Sequence, residues 1–423
     1  MEGWDGMPNG LPSENTRRRW NRFGQSGAKL IWGGEAFAVQ ADGRANPNQL
    51  FLNPDADVER GLTGLREEIL RGHQDQGLNT DDLVIGLQLT HSGRFSLPDG
   101  PPKPRPADRN PVSDRKFGTD PNTPLLTDGE LEMIGENFVR AAIVAQRAGF
   151  DFVDVKCCHS YLLHELLSAR SRPGAYGGSY ENRIRLFKRI VSGIRSDCPG
   201  LEIGVRLSLV DLPPFVPNPD TRVGEVSIRE DDGPYTMGFG TDPNSPRDFD
   251  LDEPFRFLTE LAGLGIRLVN ITLGSPYFCP HVQRPAWYPP SDGYLPPEDP
   301  LAGVYRHISM TRRVKEAFSG LTVVGSGYSY LQEWLPYVAE QEVGAGHVDL
   351  VGIGRMVLSY PDLPLHVLNN TPLDRRRICR TFSDCTTAPR NGLPSGCYPL
   401  DDHYKVSTEA EQLKRLKKRL RAN

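Results

Sequence analysis

The chain predicts an α/β fold, a TIM-type (β/α)8 barrel whose first strand is missing or truncated at the N-terminus. Three observations lead there. Short runs that are apolar on both faces recur along the sequence, as in the strands of a parallel sheet covered by helices. Each run is followed by an amphipathic stretch of helical period. The two longest irregular segments, 97–126 with eight prolines and 211–250, both follow strands, on the face where barrels build their sites.

Taken in order, residues 13–26 read as a helix with Ser13 as N-cap. Ala28–Trp32 reads as a strand, 58–76 as a helix and Leu83–Leu89 as a strand. Thr127 and Glu130 form a capping box that opens a helix to about 148. Phe152–Val155, a helix over 180–196 and Leu201–Leu207 follow, then a helix over 252–263 and the strand Arg267–Thr272. A helix over 303–318, the strand Leu321–Val324, a helix from Ser329, the strand Val348–Ile353 and a helix near 361–370 complete the pattern. That makes seven strands and eight helices with a helix first, whereas a closed barrel needs eight strands. The simplest repair puts the first strand just before Met1, in a frame that is truncated or starts late. An open doubly wound sheet ranks below the barrel, because no Gly-rich dinucleotide turn follows a first strand. Residues 1–370 are expected to form the barrel and 371–423 a tail, with a basic amphipathic helix over Glu409–Leu420.

Of 423 residues, 38% are hydrophobic and 24% charged, which suits a globular chain with a sizeable core. The net charge of −5 gives no reason to expect nucleic acid or an anionic membrane as partner. No apolar run approaches the roughly 18 residues of a membrane span, and Met1–Gly6 lacks the pattern of a signal peptide. Seven scattered cysteines, an odd number, argue for reduced thiols and a cytoplasmic setting.

Several strand ends are unusually polar. Gln88 lies inside an apolar strand, where its amide must find partners and can both donate to and accept from a planar heterocycle; a core glutamine bonded to backbone is the plainer alternative. Arg206 at another strand end needs an anion or an electron-rich ring, and a salt bridge would serve equally. Gly325-Ser326-Gly327 followed by Ser329-x-x-Gln332, together with Gly352-Ile353-Gly354-Arg355, read as the anion site that barrels build after strands seven and eight. The densest cluster runs from Asp154 to Leu163. Lys156, His159 and Tyr161 leave one strand end together, a cation, an imidazole and a phenol around one small volume, enough to polarise a carbonyl and deliver a proton. Cys157, Cys158 and His159 do not make a metal site, since adjacent cysteines bind one ion poorly and no second spaced pair exists.

At these residues the chain resembles the old yellow enzyme family of NADH:flavin oxidoreductases, in the branch of dienoyl-CoA reductases and trimethylamine dehydrogenases. His159-Ser160-Tyr161-Leu162 followed by Tyr176-Gly177-Gly178-Ser179-Tyr180-Glu181-Asn182-Arg183 is similar to the family's H-x-x-H-G-Y-L and Y-G-G-S-x-E-N-R. The resemblance implies FMN, with Gln88 on the flavin pyrimidine, Ala36 beside the isoalloxazine, Arg206 as the flavin arginine, and Gly325, Gly327, Gly354 and Arg355 on the phosphate. It also implies NADH or NADPH as hydride donor. Lys156 stands where the family carries the first of two substrate histidines. Met1-Glu2-Gly3-Trp4-Asp5 is similar to the end of the family's first strand. Of the branch's iron–sulfur ligands only Cys385 and Cys397 keep their spacing, with Cys379 one residue out of register. Three thiolates rarely hold a four-iron cluster, so none is expected.

The expected function is therefore reduction of an activated C=C in an α,β-unsaturated carbonyl substrate, with Lys156 and His159 holding the carbonyl oxygen and Tyr161 protonating carbon. The partner is a small molecule, and a homo-oligomer is compatible with the sequence. One alternative is flavin-dependent oxidation of a methylated amine in a bowl of Tyr277, Trp287 and Tyr288, against which Lys156 argues. Another is a non-catalytic barrel that has lost its flavin.

Overall fold

A computed structural model of the protein describes residues 3–422. Its strands, in chain order, are β1 (Leu30–Ile31), β2 (Ala36–Ala38), β3 (Val84–Thr90), β4 (Phe152–Val155), β5 (Glu202–Ser208), β6 (Phe215–Pro217), β7 (Gly224–Val226), β8 (Leu268–Thr272), β9 (Thr322–Gly325) and β10 (Leu350–Val351). Apart from the antiparallel hairpin β6–β7, they form one parallel sheet. β1 and β2 both pair with β3, and the order then runs through β4, β5, β8 and β9 to β10. Parallel strands linked by helices make the expected barrel fold. β1 and β2 are two pieces of one barrel position, split at Gly33, whose φ of 88° takes the backbone out of strand geometry. The sheet segments thus fill seven positions. Among the described residues no ladder joins β10 to β1, and both edges line a cavity of about 1450 Å³ that runs down the barrel.

Helical boundaries follow their caps. Thr127 Oγ1 accepts from the Glu130 N–H while Glu130 Oε2 accepts from the Thr127 N–H, and the helix runs Asp128–Arg147. Ser13 caps Glu14–Gly24, which packs against Val58–Gln74 at very close range. A Cβ on Gly24 would fall 2.1 Å from Ile69 O, and one on Gly72 2.1 Å from Asn21 O, so the approach requires glycine at both. Trp20, fully buried, meets Phe150 edge-to-face at 6.2 Å under this helix pair. Inside the barrel, Phe152 and Trp32 meet edge-to-face at 5.3 Å. Gly86 makes room for them, since a Cβ there would reach 2.2 Å from the Phe152 ring.

Three expectations change. The helix expected from Ser329 with a Ser329–Gln332 capping box is instead a 3-10 segment, Tyr328–Trp334; Gln332 breaks it at φ 53°, and the α-helix starts at Leu335. The segment 211–250, expected on the face that carries the site, contributes no residue to the cavity. Its hairpin stacks Phe215 on Tyr294, with ring centres 5.9 Å apart, and so buttresses the 276–294 loop. The expected first-strand remnant falls partly on Met1 and Glu2, outside the described residues. Gly3–Asp5 form no strand, and Asp5 is buried in an ion pair with Arg19 at 2.7 Å. The tail helix is present as Thr408–Ala422. No helix among the described residues is long and apolar enough to cross a membrane.

Candidate active site

The cavity opens at the C-terminal ends of the strands, and its wall there is built from β4 outward. β4 ends at Val155, and the chain then turns through two non-glycine residues in left-handed geometry, His159 at φ 66° and Ser160 at φ 59°. Such residues cost on the order of 1–3 kcal/mol each and persist only when their surroundings hold them. Here Ser160 N–H donates to His164 Nδ1 at 3.0 Å, Ser160 Oγ donates to Asp211 Oδ2 at 2.6 Å, and His159 N–H donates to Ser208 Oγ at 3.1 Å. The turn brings Lys156, His159 and Tyr161 to the wall of one cavity.

Burial and the nearby charges of Arg206 and Lys156 hold His159 far below the usual imidazole range, so it is neutral. Gln283 Nε2 lies 3.3 Å from His159 Nε2. An amide nitrogen can only donate, which leaves the imidazole proton on Nδ1. Lys156 Nζ stands 3.6 Å from the Tyr161 ring centre, and Tyr161 Oη is 2.9 Å from Tyr277 Oη. Tyr277 in turn stacks on Phe95, with centroids 4.0 Å apart. Of the three aromatics considered for an amine-binding bowl, only Tyr277 lines the cavity. Trp287 and Tyr288 are half-exposed and outside it, while Phe95 and Phe117 are lining residues that sequence reasoning missed.

Gln88 and Arg206 line the neighbouring wall. Asp154, wholly buried between them, accepts from Gln88 Nε2 at 2.6 Å, Trp32 Nε1 at 2.7 Å and the Arg206 N–H at 2.7 Å. Arg206 Nε is buried and has no hydrogen-bond partner among the described residues. Asp154 carries a usable signal, a carboxylate inside an otherwise apolar strand, but its register opposite Gln88 is visible only in the structure. Ala36 is also in register with Gln88, yet it is fully buried and does not reach the cavity; Gly33 and Gly34, at the break in the strand, do.

At the far end Ser326, Gly327, Gly352, Gly354 and Arg355 line the cavity, while Gly325 lies behind them in β9. Gly327 takes φ 94°, and a Cβ there would sit 2.6 Å from His307, so glycine is required. Arg355 has no carboxylate partner among the described residues and neighbours Cys379 and Cys385. The tail reaches this wall as well: Cys379, Thr381, Ser383, Cys385 and Arg390 line the cavity, and Arg284 Nη2 donates to Ser383 Oγ at 2.6 Å. Cys397 is buried behind them, and among the described residues no group of three or more His, Cys, Asp or Glu side chains is placed to hold a metal ion.

Residues 22–214 match the model of the NADH:flavin oxidoreductase / NADH oxidase family. The NADPH dehydrogenase of Halalkalibacterium halodurans is 32% identical over 44% of this chain and 50% of its own length, so the chain spans about half of that relative. A putative 12-oxophytodienoate reductase-like protein of Arabidopsis thaliana is 27% identical over 69% of this chain and 74% of its own. Among solved structures, morphinone reductase in complex with tetrahydroNAD superposes with a TM-score of 0.58 at 22% identity, over 88% of this chain and 86% of that one, a likeness of fold.

Proposed function

We propose that the chain, whose residues 22–214 match the NADH:flavin oxidoreductase / NADH oxidase family model, is a member of that family and an FMN-dependent enzyme that uses NADH or NADPH to reduce a C=C activated by a carbonyl group. The observation that carries this reading is the meeting of Lys156, neutral His159 and Tyr161 on one wall of a cavity whose adjoining wall presents Gln88 and Arg206.

FMN fits the residues present. The buried Arg206 Nε, which has no partner among the described residues, calls for an acceptor, which the N1/C2=O edge of a flavin offers, and the Gln88 amide faces the adjoining N3–H of the same ring. Ser326, Gly327, Gly354 and Arg355 would hold the phosphate through backbone N–H groups and a guanidinium. When bound, FMN supplies the hydride relay between a reduced nicotinamide and the substrate.

The chain's own residues do the rest. Lys156 and the His159 Nδ1–H bind the substrate carbonyl oxygen and stabilise the negative charge that develops there as hydride reaches the β-carbon. Tyr161 gives its proton to the α-carbon, and the Tyr277 hydroxyl, 2.9 Å away, is placed to restore it. Phe95 and Phe117 keep that end of the cavity apolar. Oxidation of a methylated amine is disfavoured by Lys156, a cation where a cationic substrate would sit, and by the position of Trp287 and Tyr288 outside the cavity.

The deciding experiment is the absorption spectrum of the purified protein followed by anaerobic mixing with NADPH and then cyclohexenone. A flavin band that bleaches with NADPH and returns with the enone is expected. A colourless protein that takes up no added FMN points to the non-catalytic barrel, and bleaching by a methylamine instead points to amine oxidation.

A further inference from the structure

Asp154 is wholly buried in the middle of β4, and none of its three donors is a cation. Its partners belong to three different barrel positions: Trp32 just after β1, Gln88 in β3 and Arg206 in β5. Burying a carboxylate this way is costly unless hydrogen bonds offset it, as these three donors do. What the arrangement does is remove a choice. A free glutamine amide can turn either its oxygen or its nitrogen to a ligand. With Nε2 committed to Asp154 Oδ2 at 2.6 Å, Gln88 presents its carbonyl oxygen on the opposite side, towards the cavity it lines. The other carboxylate oxygen takes the Arg206 N–H at 2.7 Å and so fixes the strand from which the guanidinium projects. One acid therefore sets an acceptor and a donor side by side.

We propose that Asp154 is a positioning residue that locks Gln88 as a hydrogen-bond acceptor beside the donor Arg206, so that the cavity selects a heterocycle edge with a ring N–H flanked by a carbonyl, as in a cyclic imide. This rests on the flavin reading above, in which that edge is the N3–H and C2=O of the pyrimidine ring. Trp32, the third donor, saturates Oδ2 and leaves it no reason to release Gln88.

The test uses binding rather than turnover. The flavin-stripped protein is titrated with FMN and with FMN methylated at N3, following fluorescence quenching. The methylated analogue has no N–H for Gln88 Oε1, and the wild type should prefer FMN by about tenfold or more, the worth of one hydrogen bond plus a buried acceptor left unpaired. In Asp154→Asn the amide of Gln88 is free to turn, and the preference should shrink to about twofold or less. Gln88→Ala should lose the preference too, and adding Asp154→Asn to it should change little, because the acid acts through the amide. A purely structural role for Asp154 would weaken both ligands alike and leave their ratio intact.

A second measurement needs no Asp154 variant. In the wild-type NMR spectrum, one side-chain amide pair, identified by its loss in Gln88→Ala, should be shifted and protected from solvent exchange. Equal binding of the two flavins by the wild type, an unchanged ratio in Asp154→Asn, or an unprotected Gln88 amide would each overturn the proposal while leaving the flavin reading in place. Failure to bind FMN at all would overturn both.

Discussion

The Lys156 ammonium lies 3.6 Å from the centre of the Tyr161 ring, so the cation and the phenol form one unit at the end of β4. With His159 neutral, Lys156 is the positive charge on this wall of the substrate end, and the Tyr161 π-face holds it in place. Lys156→Gln keeps a donor and removes the charge. Its kcat/KM with an enone should fall about 10–100-fold, as for loss of a charge-assisted hydrogen bond of about 1.5–3 kcal/mol. Reduction of the flavin by NADPH should change little. Steady-state kinetics with stopped-flow reduction separate these effects, and an unchanged kcat/KM would remove Lys156 from the oxyanion site.

Arg355 supports a different end of the cavity. Burial holds its pKa below the usual guanidinium value, with the Cys385 and Cys379 thiols opposing the shift, so an anion there would satisfy it. Arg355→Ala should weaken FMN by about 1.5–3 kcal/mol, the worth of a hydrogen bond to a charged group. Riboflavin, which lacks the phosphate, should bind the variant and the wild type alike. Equal FMN retention by both proteins after dialysis would place the phosphate elsewhere.

Strong periodic signals are legible in the amino-acid sequence, and interactions across the barrel are not. Phe152–Val155 and the helix over 252–263 fall at the bounds their patterns predict, because each has a clear apolar period and a clear stop. The short β2 escapes such a reading: Ala36–Ala38 offers too few residues for any period, and only its pairing with β3 makes it a strand. Ser329 and Gln332 have capping-box spacing, but the left-handed backbone at Gln332 overrides it. At the site, Lys156, His159 and Tyr161 are legible because one turn carries all three. Gln283 and the tail residues Thr381, Ser383 and Arg390 arrive from distant segments, and no local pattern announces them. Motif alone puts Ala36 and Gly325 at the cavity, yet the fold turns both behind their neighbours.

Asp211 makes the turn beneath the site sensitive to pH. Burial raises its pKa from 3.8 to about 7, and Ser160 Oγ is its hydrogen-bond partner at 2.6 Å. Between those values the folded state binds the proton that the unfolded chain has lost, so stability falls as pH rises from about 4 to about 7 and levels off above. The contribution is on the order of 4 kcal/mol at about 1.36 kcal/mol per pH unit. Asp211→Asn keeps an acceptor for Ser160 and cannot ionise, so its urea-unfolding free energy should decline less over that range. Parallel curves for the two proteins from pH 4.5 to 8 would show that Asp211 titrates normally.

Tyr161 separates the two half-reactions. Its hydroxyl lies 2.9 Å from that of Tyr277, and its ring forms the cavity wall beside Lys156. In an ene-reductase the phenol acts after hydride has reached the substrate, giving a proton to the carbon next to the carbonyl. Tyr161→Phe keeps the ring that Lys156 packs on and removes only the proton. Flavin reduction by NADPH should then proceed at nearly the wild-type rate, while reoxidation by an enone should slow about 10²–10⁴-fold, the usual worth of a positioned acid. A nitroalkene, whose carbanion is stable enough to leave the enzyme and be protonated by water, should reoxidise the flavin with a much smaller loss. Tyr277→Phe tests the supply line: it should slow the enone reaction less than Tyr161→Phe does, because solvent can still restore the phenol's proton. Stopped-flow traces of the flavin band follow each half separately. If Tyr161→Phe slowed neither half, the residue would be a packing partner for Lys156 and the acid would have to be sought elsewhere on the cavity wall.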